Sequence, residues 1–362
     1  MKVLLNGATS GTNFGDFIFA KMFQEKLIQL VGKNNVYWYK SRYALSDFYA
    51  NHLGYHQNYR LSNIDALVFI SGGYFHGDDH CLKDYIIRYL RYFHVGICCL
   101  FHKIPFAIIA VEVGPTKNCV LRFVEKVILK HAKIVVVRNR ESEYYASLMG
   151  AKQIICTADT VFAMERSLFV DITIPIEIET CEKRKLFLHI NPTIEGNHDI
   201  IQKIVPIVNE FCSRHPEYAI VIGTDQYTNK QNDVFEFVRS QLKVSTIFLN
   251  EYNYPLELCK VLEQCDVIVT HKLHVGIVGA YLSKSVVSFS GHTSKIERLY
   301  KQLNILERTT PLASLTLEKG LAIMEQNHNR PIRVPKNITN SAKQNLKYLA
   351  DFIEQIRQGN IV

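Results

Sequence analysis

Short apolar runs alternate along the chain with longer stretches in which apolar positions recur every three to four residues. In the first half, "KVLLNG", "VYWYK", "DALVFISGG", "PFAIIAVEVG" and "KIVVVRN" are rich in Val, Ile and aromatics, and several end in Gly or Asn. Strands buried on both faces of a parallel sheet read this way before a loop. Between them, Leu82, Tyr85, Ile86, Tyr89, Leu90 and Phe93 fall at helical spacing. Val120, Leu121, Val124, Val127 and Ile128 repeat that pattern, with Arg122, Lys126 and Lys130 on other faces. The segment "FVDITIPIEIETCEKRK" has no helical period, and a second alternation starts after it. There "KLFLHINP", "YAIVIGTD", "TIFLNEY", "DVIVTHK" and "SVVSFSG" read as strands, with helices near 198–214, 230–242, 255–264 and 273–282. A closing helix over about 339–357 carries Ala342, Leu346, Leu349, Ile353 and Ile356 on one stripe.

Two successive β/α alternations predict an α/β protein of two Rossmann-like parallel-sheet domains with right-handed crossovers. The expected boundaries are 1–170 and 183–325, with a linker and helix over 326–362 packing back on the N-terminal domain. Ligands of such sheets bind beyond the strands' carboxyl ends. The expected site is therefore the cleft between the domains, lined by residues that follow strands.

A length of 362 residues agrees with two cores, and 48% hydrophobic with 21% charged residues is an ordinary folded composition. The opening apolar run is too short for a signal-peptide core, and Lys103 and Pro105 interrupt the most apolar stretch, "VGICCLFHKIPFAIIAV". Nine scattered cysteines without a CxxC pair point to reduced thiols. The expected location is the cytoplasm. Of the net charge of +8, residues 81–152 hold +7. Such a surface attracts an anionic substrate, an anionic membrane or nucleic acid. With no RRM-like aromatic signature and no helix-turn-helix pattern, nucleic acid is the least supported of the three.

Five strand ends carry candidate chemistry. In "NGATSGTNFGDFIFAKMF", Gly11 and Gly15 allow tight turns, Asn13 can cap, and Asp16 sits at a helix start as a cap or a functional carboxylate. In "ISGGYFHGDD", Gly72 and Gly73 admit a close approach. His76, Asp78, Asp79 and His80 crowd one loop and make a poor coordination set. Glu112, in an otherwise apolar strand, must be ion-paired or face a ligand. Arg138 ends a strand with a donor fork suited to phosphate or carboxylate, and Asp159 follows in "TADTVF". In "VTHKLHVGIVGAYLSKSVVSF", His271, Lys272 and His274 stand where a strand passes into a helix, a natural anion site. The HxxH spacing lacks the HExxH pattern of zinc enzymes, so no metal is expected. Lys295 follows the next strand.

In order and spacing these segments resemble the polysaccharide pyruvyl transferase family over most of residues 1–305. "NFGD" is similar to the family's NxGD loop, "ISGGYF" to its GGG strand end, and "VEVGP" to its GxGP turn. "VVRNRES" is similar to its RDxxS segment, "TADTVF" to its Asp-bearing strand, "THKLH" to its RLH block, and "HTSKIERL" to its Lys-bearing segment. Tyr74 replaces a glycine, Asn139 an aspartate and Lys272 the arginine of RLH. The lysine keeps the charge and loses the bidentate fork.

The resemblance implies a glycosyltransferase B-like fold. It also implies transfer of pyruvyl from phosphoenolpyruvate, as co-substrate and without a further cofactor, to two hydroxyls of a sugar, giving a ketal and phosphate. The acceptor would be a cell-surface polysaccharide or its lipid-linked oligosaccharide precursor. His274 would serve as acid or base, because imidazole titrates near the working pH. Lys272, in the C-terminal domain, and Arg138, across the cleft from it, would hold the donor's phosphate and carboxylate, with Lys295 as a further candidate and Asn13, Gly15, Gly72 and Gly73 also contacting substrate. Asp16, or else Glu112 or Asp159, would meet the acceptor from the N-terminal side, while His271 falls outside the matched triplet and is given no role. The basic stretch 82–94, with Lys83, Arg88 and Arg91, is either a solvated face over a core or a rest on an anionic membrane. Two alternatives stay open: a nucleotide-sugar glycosyltransferase of the same fold, with Glu251 or Glu257 on the nucleoside, and a non-catalytic binder of glycan or anion.

Overall fold

The computed structural model describes residues 1–41, 43–55, 58–77, 81–227, 231–248, 254–291 and 293–360. Asp78, Asp79, His80, Glu251 and His292 lie outside the described residues. The chain divides into two compact units. Unit 1 holds Met1–Thr12, Asp16–Met164 and Asn337–Val362, and unit 2 holds Asn13–Gly15 and Glu165–Lys336.

Unit 1 is built on β1 (Val3–Asn6), β2 (Val36–Trp38), β3 (Ala66–Phe69), β4 (Gly72–Gly77), β5 (Phe106–Thr116), β6 (Val135–Val137) and β7 (Ile154–Cys156). Their order is β2-β1-β3-β5-β6-β7, with β4 also paired to β5. All pairings are parallel. β1, β3 and β6 are buried throughout, as strands of a sheet covered on both faces must be. The run "DALVFISGG", read as one strand, breaks into β3 and β4 around Ile70 and Ser71. Three-residue β7 was too short to register as a strand. The segment "TADTVF" is not a strand: Thr160–Ala163 is a 3-10 turn capped by the Asp159 side chain.

The helical stretch after β4 also differs from its pattern. It runs as an α-helix over Leu82–Arg88, a π-turn over Tyr89–Phe93 and a second α-helix over His94–Phe101. The wider turn shifts the phase of the apolar stripe. Phe93 is buried, whereas Leu82 is 72% and Ile86 51% exposed. Arg88 donates to the His76 carbonyl and Arg91 to the Tyr43 carbonyl. Two of the three cations expected to form a basic face on this stretch therefore turn onto backbone.

Unit 2 contains β8 (Arg184–Ile190), β9 (Tyr218–Thr224), β10 (Thr246–Phe248), β11 (Val267–Thr270), β12 (Ser285–Ser290) and β13 (Thr309–Pro311). The order β10-β9-β8-β11-β12-β13 is that of a doubly wound sheet, and it reverses direction between β8 and β11. β13 has no apolar residue to announce it. The Leu273–Tyr281 helix lies close against the sheet at Gly279. A Cβ there would come within 2.7 Å of Ile268 and 2.8 Å of Val286.

The Lys336–Arg357 helix brings the chain back to unit 1. Its apolar stripe carries one fully buried amide, Asn345. Asn345 Oδ1 accepts from Thr157 Oγ1 at 2.7 Å, and its Nδ2 donates to the Ala158 carbonyl at 2.9 Å. The late helix thus pins the loop that carries Asp159. Asn345→Ala leaves these groups buried and unsatisfied, so it should lower unit 1 stability by about 1–3 kcal/mol, read as a lower urea midpoint at unchanged m-value.

Candidate functional site

The carboxyl ends of β9, β8 and β11, three adjacent strands, gather the polar chemistry of unit 2. Asp225 follows β9, His189 lies near the end of β8 with Asn191 beyond it, and His271 follows β11. This is where the strand order reverses, the position at which doubly wound sheets open a crevice. Asp225, His189 and His271 are 1%, 0% and 6% exposed.

Hydrogen-bond directions fix the protons in this chain. Asn191 Nδ2 donates to the Gly196 carbonyl, so its Oδ1 faces His271 Nε2 at 3.1 Å and must accept. His271 Nε2 then carries a proton, and in a neutral ring Nδ1 is an acceptor. His189 Nδ1, 3.2 Å away, must donate to it. On its other side His189 Nε2 lies 3.2 Å from Asp225 Oδ1, a contact bent enough to count as an ion pair and not an aligned hydrogen bond. The two side chains form a buried pair. Burial alone would raise the Asp225 carboxyl, but the contact with His189, and then the charge of Lys272, hold it well below its ordinary value. Burial, reinforced by the charges of His189 and Lys272, pushes His271 well below the usual histidine range, which keeps it neutral.

The other carboxylate oxygen of Asp225 accepts from Asn13 Nδ2 at 2.6 Å. Asn13 Oδ1 accepts from the Gly15 amide at 2.9 Å and lies 3.1 Å from His274 Nδ1. His274 therefore carries its proton on Nδ1, and Nε2 is the basic nitrogen of the neutral ring. Gly15 is glycine for a steric reason, since a Cβ would sit 2.1 Å from His274 Nδ1. Lys272 is the N-cap residue of the Leu273–Tyr281 helix, and its amide is bonded by Thr270 Oγ1. A cation, a helix start and an oriented imidazole thus fall within three residues, and such groups are chemically able to hold an anion and to exchange a proton beside it.

Unit 1 has its own cluster at the ends of β5, β6 and β7. Arg138 donates through Nη2 to Glu112 and through Nη1 to Asp159, the latter at 3.0 Å. All three are buried. Burial alone would lower the guanidinium's pKa, but Glu112, then Asp159, then Asp16 raise it. Arg138 is therefore committed to carboxylates instead of being presented to a phosphate, because a buried charge demands partners. Glu112 is aimed by a kink in β5, where Ala110 has φ 61° and the register to β6 shifts. Asn139 accepts from the Ser142 amide and caps the Arg140–Leu148 helix, a task that Asn and Asp perform alike. Asp16 is half-buried in the first turn of the Phe14–Val31 helix.

Asn13, Gly15, Lys272 and His274 thus come together in unit 2, and Glu112, Arg138 and Asp159 in unit 1. Gly72 is packed against Tyr74, whose ring a Cβ would meet at 2.8 Å. Gly73 follows it in β4, half-buried. Lys295 is half-buried in the first turn of the Thr293–Gln302 helix. His271, given no role above, is a member of the buried chain. Asp225, His189 and Asn191 were missed, although "YAIVIGTD" and "KLFLHINP" display an acid just after an apolar strand and a histidine inside one. A group of metal-type side chains, His215, Glu325 and His328, lies at the amino end of β9. Hydrogen bonds to Glu217, Glu325 and Tyr218 account for it.

Several solved structures share this fold. A UDP-GlcNAc 2-epimerase from Neisseria meningitidis bound to UDP-GlcNAc is 15% identical, covers 97% of this chain and 100% of its own, and has a TM-score of 0.60. The MnaA–UDP structure from S. aureus is 10% identical over 98% and 97% of the two chains, with a TM-score of 0.62. A putative UDP-N-acetylglucosamine 2-epimerase from Listeria monocytogenes is 12% identical over 98% and 97%, with a TM-score of 0.63. At these identities the likeness defines the fold, two Rossmann-type units of the glycosyltransferase B kind. No curated protein matches the sequence. The family model described as polysaccharide pyruvyl transferase matches residues 13–293, and the chain belongs to that family. It is an enzyme of transferase type that acts on a sugar substrate.

Two measurements test the buried chain. Because His271 stays neutral when folded but takes a proton when unfolded, stability should fall as pH drops below the ordinary histidine value of 6.5. His271→Asn should flatten that slope between pH 6.5 and the acid range, leaving the part due to His328, which is also held low. In histidine-labelled protein at neutral pH, nitrogen NMR should show His274 as the Nδ1–H tautomer. The Nε2–H tautomer at His274 in the wild type would overturn the assignment.

Proposed function

We propose that this enzyme transfers pyruvyl from phosphoenolpyruvate to two hydroxyls of a sugar, in a cell-surface polysaccharide or its lipid-linked precursor, and works in the cytoplasm. The observation that carries the reading is Lys272 at a helix start with His274 beside it, fixed through Nδ1 by Asn13. Membership of the family supplies the chemistry. Lys272 and the first amides of the Leu273–Tyr281 helix take the donor's negative charge, with Lys295 as a further cation of unit 2. One hydroxyl oxygen adds to C2 of the donor while a proton goes to its methylene carbon. The second hydroxyl then displaces phosphate at C2, closing the ketal, and its proton leaves with the phosphate. His274 Nε2 takes the proton of the first hydroxyl and returns it to the methylene carbon, and Asp16 contacts the acceptor. Arg138 acts as a positioning residue for Glu112 and Asp159.

A nucleotide-sugar donor is the second reading, and it has the wider structural backing. Two of the solved neighbours named above carry UDP-GlcNAc or UDP and match nearly the whole chain. Glu257, in the first turn of the Glu257–Gln264 helix, is the acid in unit 2 that this reading would use.

Purified protein incubated with phosphoenolpyruvate and sugar acceptors should release phosphate, and His274→Ala should lower kcat by about 10²–10⁴-fold. Thermal stabilisation by UDP-sugars, with none by phosphoenolpyruvate, would select the second reading. Stabilisation by phosphoenolpyruvate without phosphate release on any acceptor would leave a binding protein.

A further inference from the structure

We propose that the groove between the Cys119–His131 and Arg140–Leu148 helices of unit 1 is a docking surface for an anionic phospholipid bilayer. The inference does not depend on the identity of the donor. The sequence pattern assigns Val120 to the core, but Val120 is 65% exposed, and so are Phe123 at 66%, Tyr144 at 60% and Leu148 at 61%. Four large apolar side chains on two neighbouring helices thus face water. Between the helices runs a cavity of about 440 Å³, lined among others by Pro115, Cys119, Phe123 and Leu148, with Arg122 and Lys126 at its walls. Among the described residues no acidic side chain lines it.

The charge pattern says what covers this surface. At about 100° per residue, Arg122, Lys126, Lys130 and Phe123 share one exposed arc of the Cys119–His131 helix, with Val120 beside it. The only acid of that helix, Glu125, is buried and accepts from Thr116 Oγ1. On the neighbouring helix Glu143 is paired with Arg140, and Glu141 is the exposed acid. An aromatic and aliphatic strip flanked by cations is the signature of a surface that lies in the headgroup region of a membrane. Each cation near an anionic bilayer contributes about 1 kcal/mol. A second copy of the chain is a poorer occupant. Two-fold symmetry would put the same cation-rich strip, with Arg122, Lys126 and Lys130, on both sides of the interface. No described helix is long and apolar enough to cross a membrane, so the contact proposed is peripheral.

The test is co-sedimentation of the full chain with phosphatidylcholine vesicles, with and without phosphatidylglycerol. Binding is expected only with the anionic lipid. Phe123→Ser with Leu148→Ser, and separately Arg122→Glu with Lys126→Glu, should each weaken it by about tenfold or more. Lys319→Glu with Lys343→Glu, the same charge change at exposed sites elsewhere, should not, and circular dichroism melts establish that each variant is folded. Three outcomes would overturn the proposal. The first is equal binding to both vesicle types. The second is displacement by inorganic phosphate together with indifference to Phe123→Ser and Leu148→Ser, which marks a simple anion site. The third is a dimer in light scattering that those two substitutions dissolve, which marks a self-association face.

Discussion

A carboxylate that leaves water must find a positive charge, and the organisation of unit 2 follows from how Asp225 meets that demand. Its partner is a histidine from the neighbouring strand, and the Nδ1 of that histidine continues the chain to His271 and Asn191. Asp225 then has an oxygen to spare for Asn13, and through Asn13 it reaches His274. One buried negative charge thus sets the orientation of a surface imidazole two side chains away. The two links through Asn13 are hydrogen bonds with defined donors, so they hold His274 in one tautomer, and an imidazole held in one tautomer is ready for acid–base work without reorganising.

Unit 1 solves the same problem with the signs exchanged. There the buried cation, Arg138, is held by Glu112 and Asp159. Three adjacent strand ends again supply one residue each, and a distorted strand and a distant helix keep two of them in place: the Ala110 kink for Glu112 and Asn345 for the Asp159 loop. In both units the sheet sets the spacing, and the polar residues take up places that parallel strands bring within hydrogen-bonding distance.

Much of this was legible in the sequence, for identifiable reasons. Parallel strands buried on both faces are continuous apolar runs, so β8, β9, β11 and β12 announced themselves, and with them the doubly wound architecture. Lys272 and His274 stood out because charge at the end of an apolar run is conspicuous. What escaped depended on contacts between residues far apart in the chain. Nothing local says that Arg138 will be consumed by two carboxylates, or that Asp225 will select a tautomer for His274 across 49 residues of chain. The π-turn at Tyr89–Phe93 displaced a stripe that a perfect α-helix would have buried. Val120 was misjudged because periodicity identifies an apolar face without saying whether anything covers it.

The return of the Lys336–Arg357 helix to unit 1 bears on how the protein is made. A ribosome delivers residue 345 after all of unit 2, so the loop bearing Asp159 must wait for its amide brace through the synthesis of a whole second sheet. Unit 2 waits for nothing comparable, because Asn13, its contribution from the far end of the chain, emerges first. The order of translation therefore favours completion of the Lys272 and His274 cluster before the Arg138 cluster is sealed. A chain interrupted before its last helix would carry one finished half beside one still open.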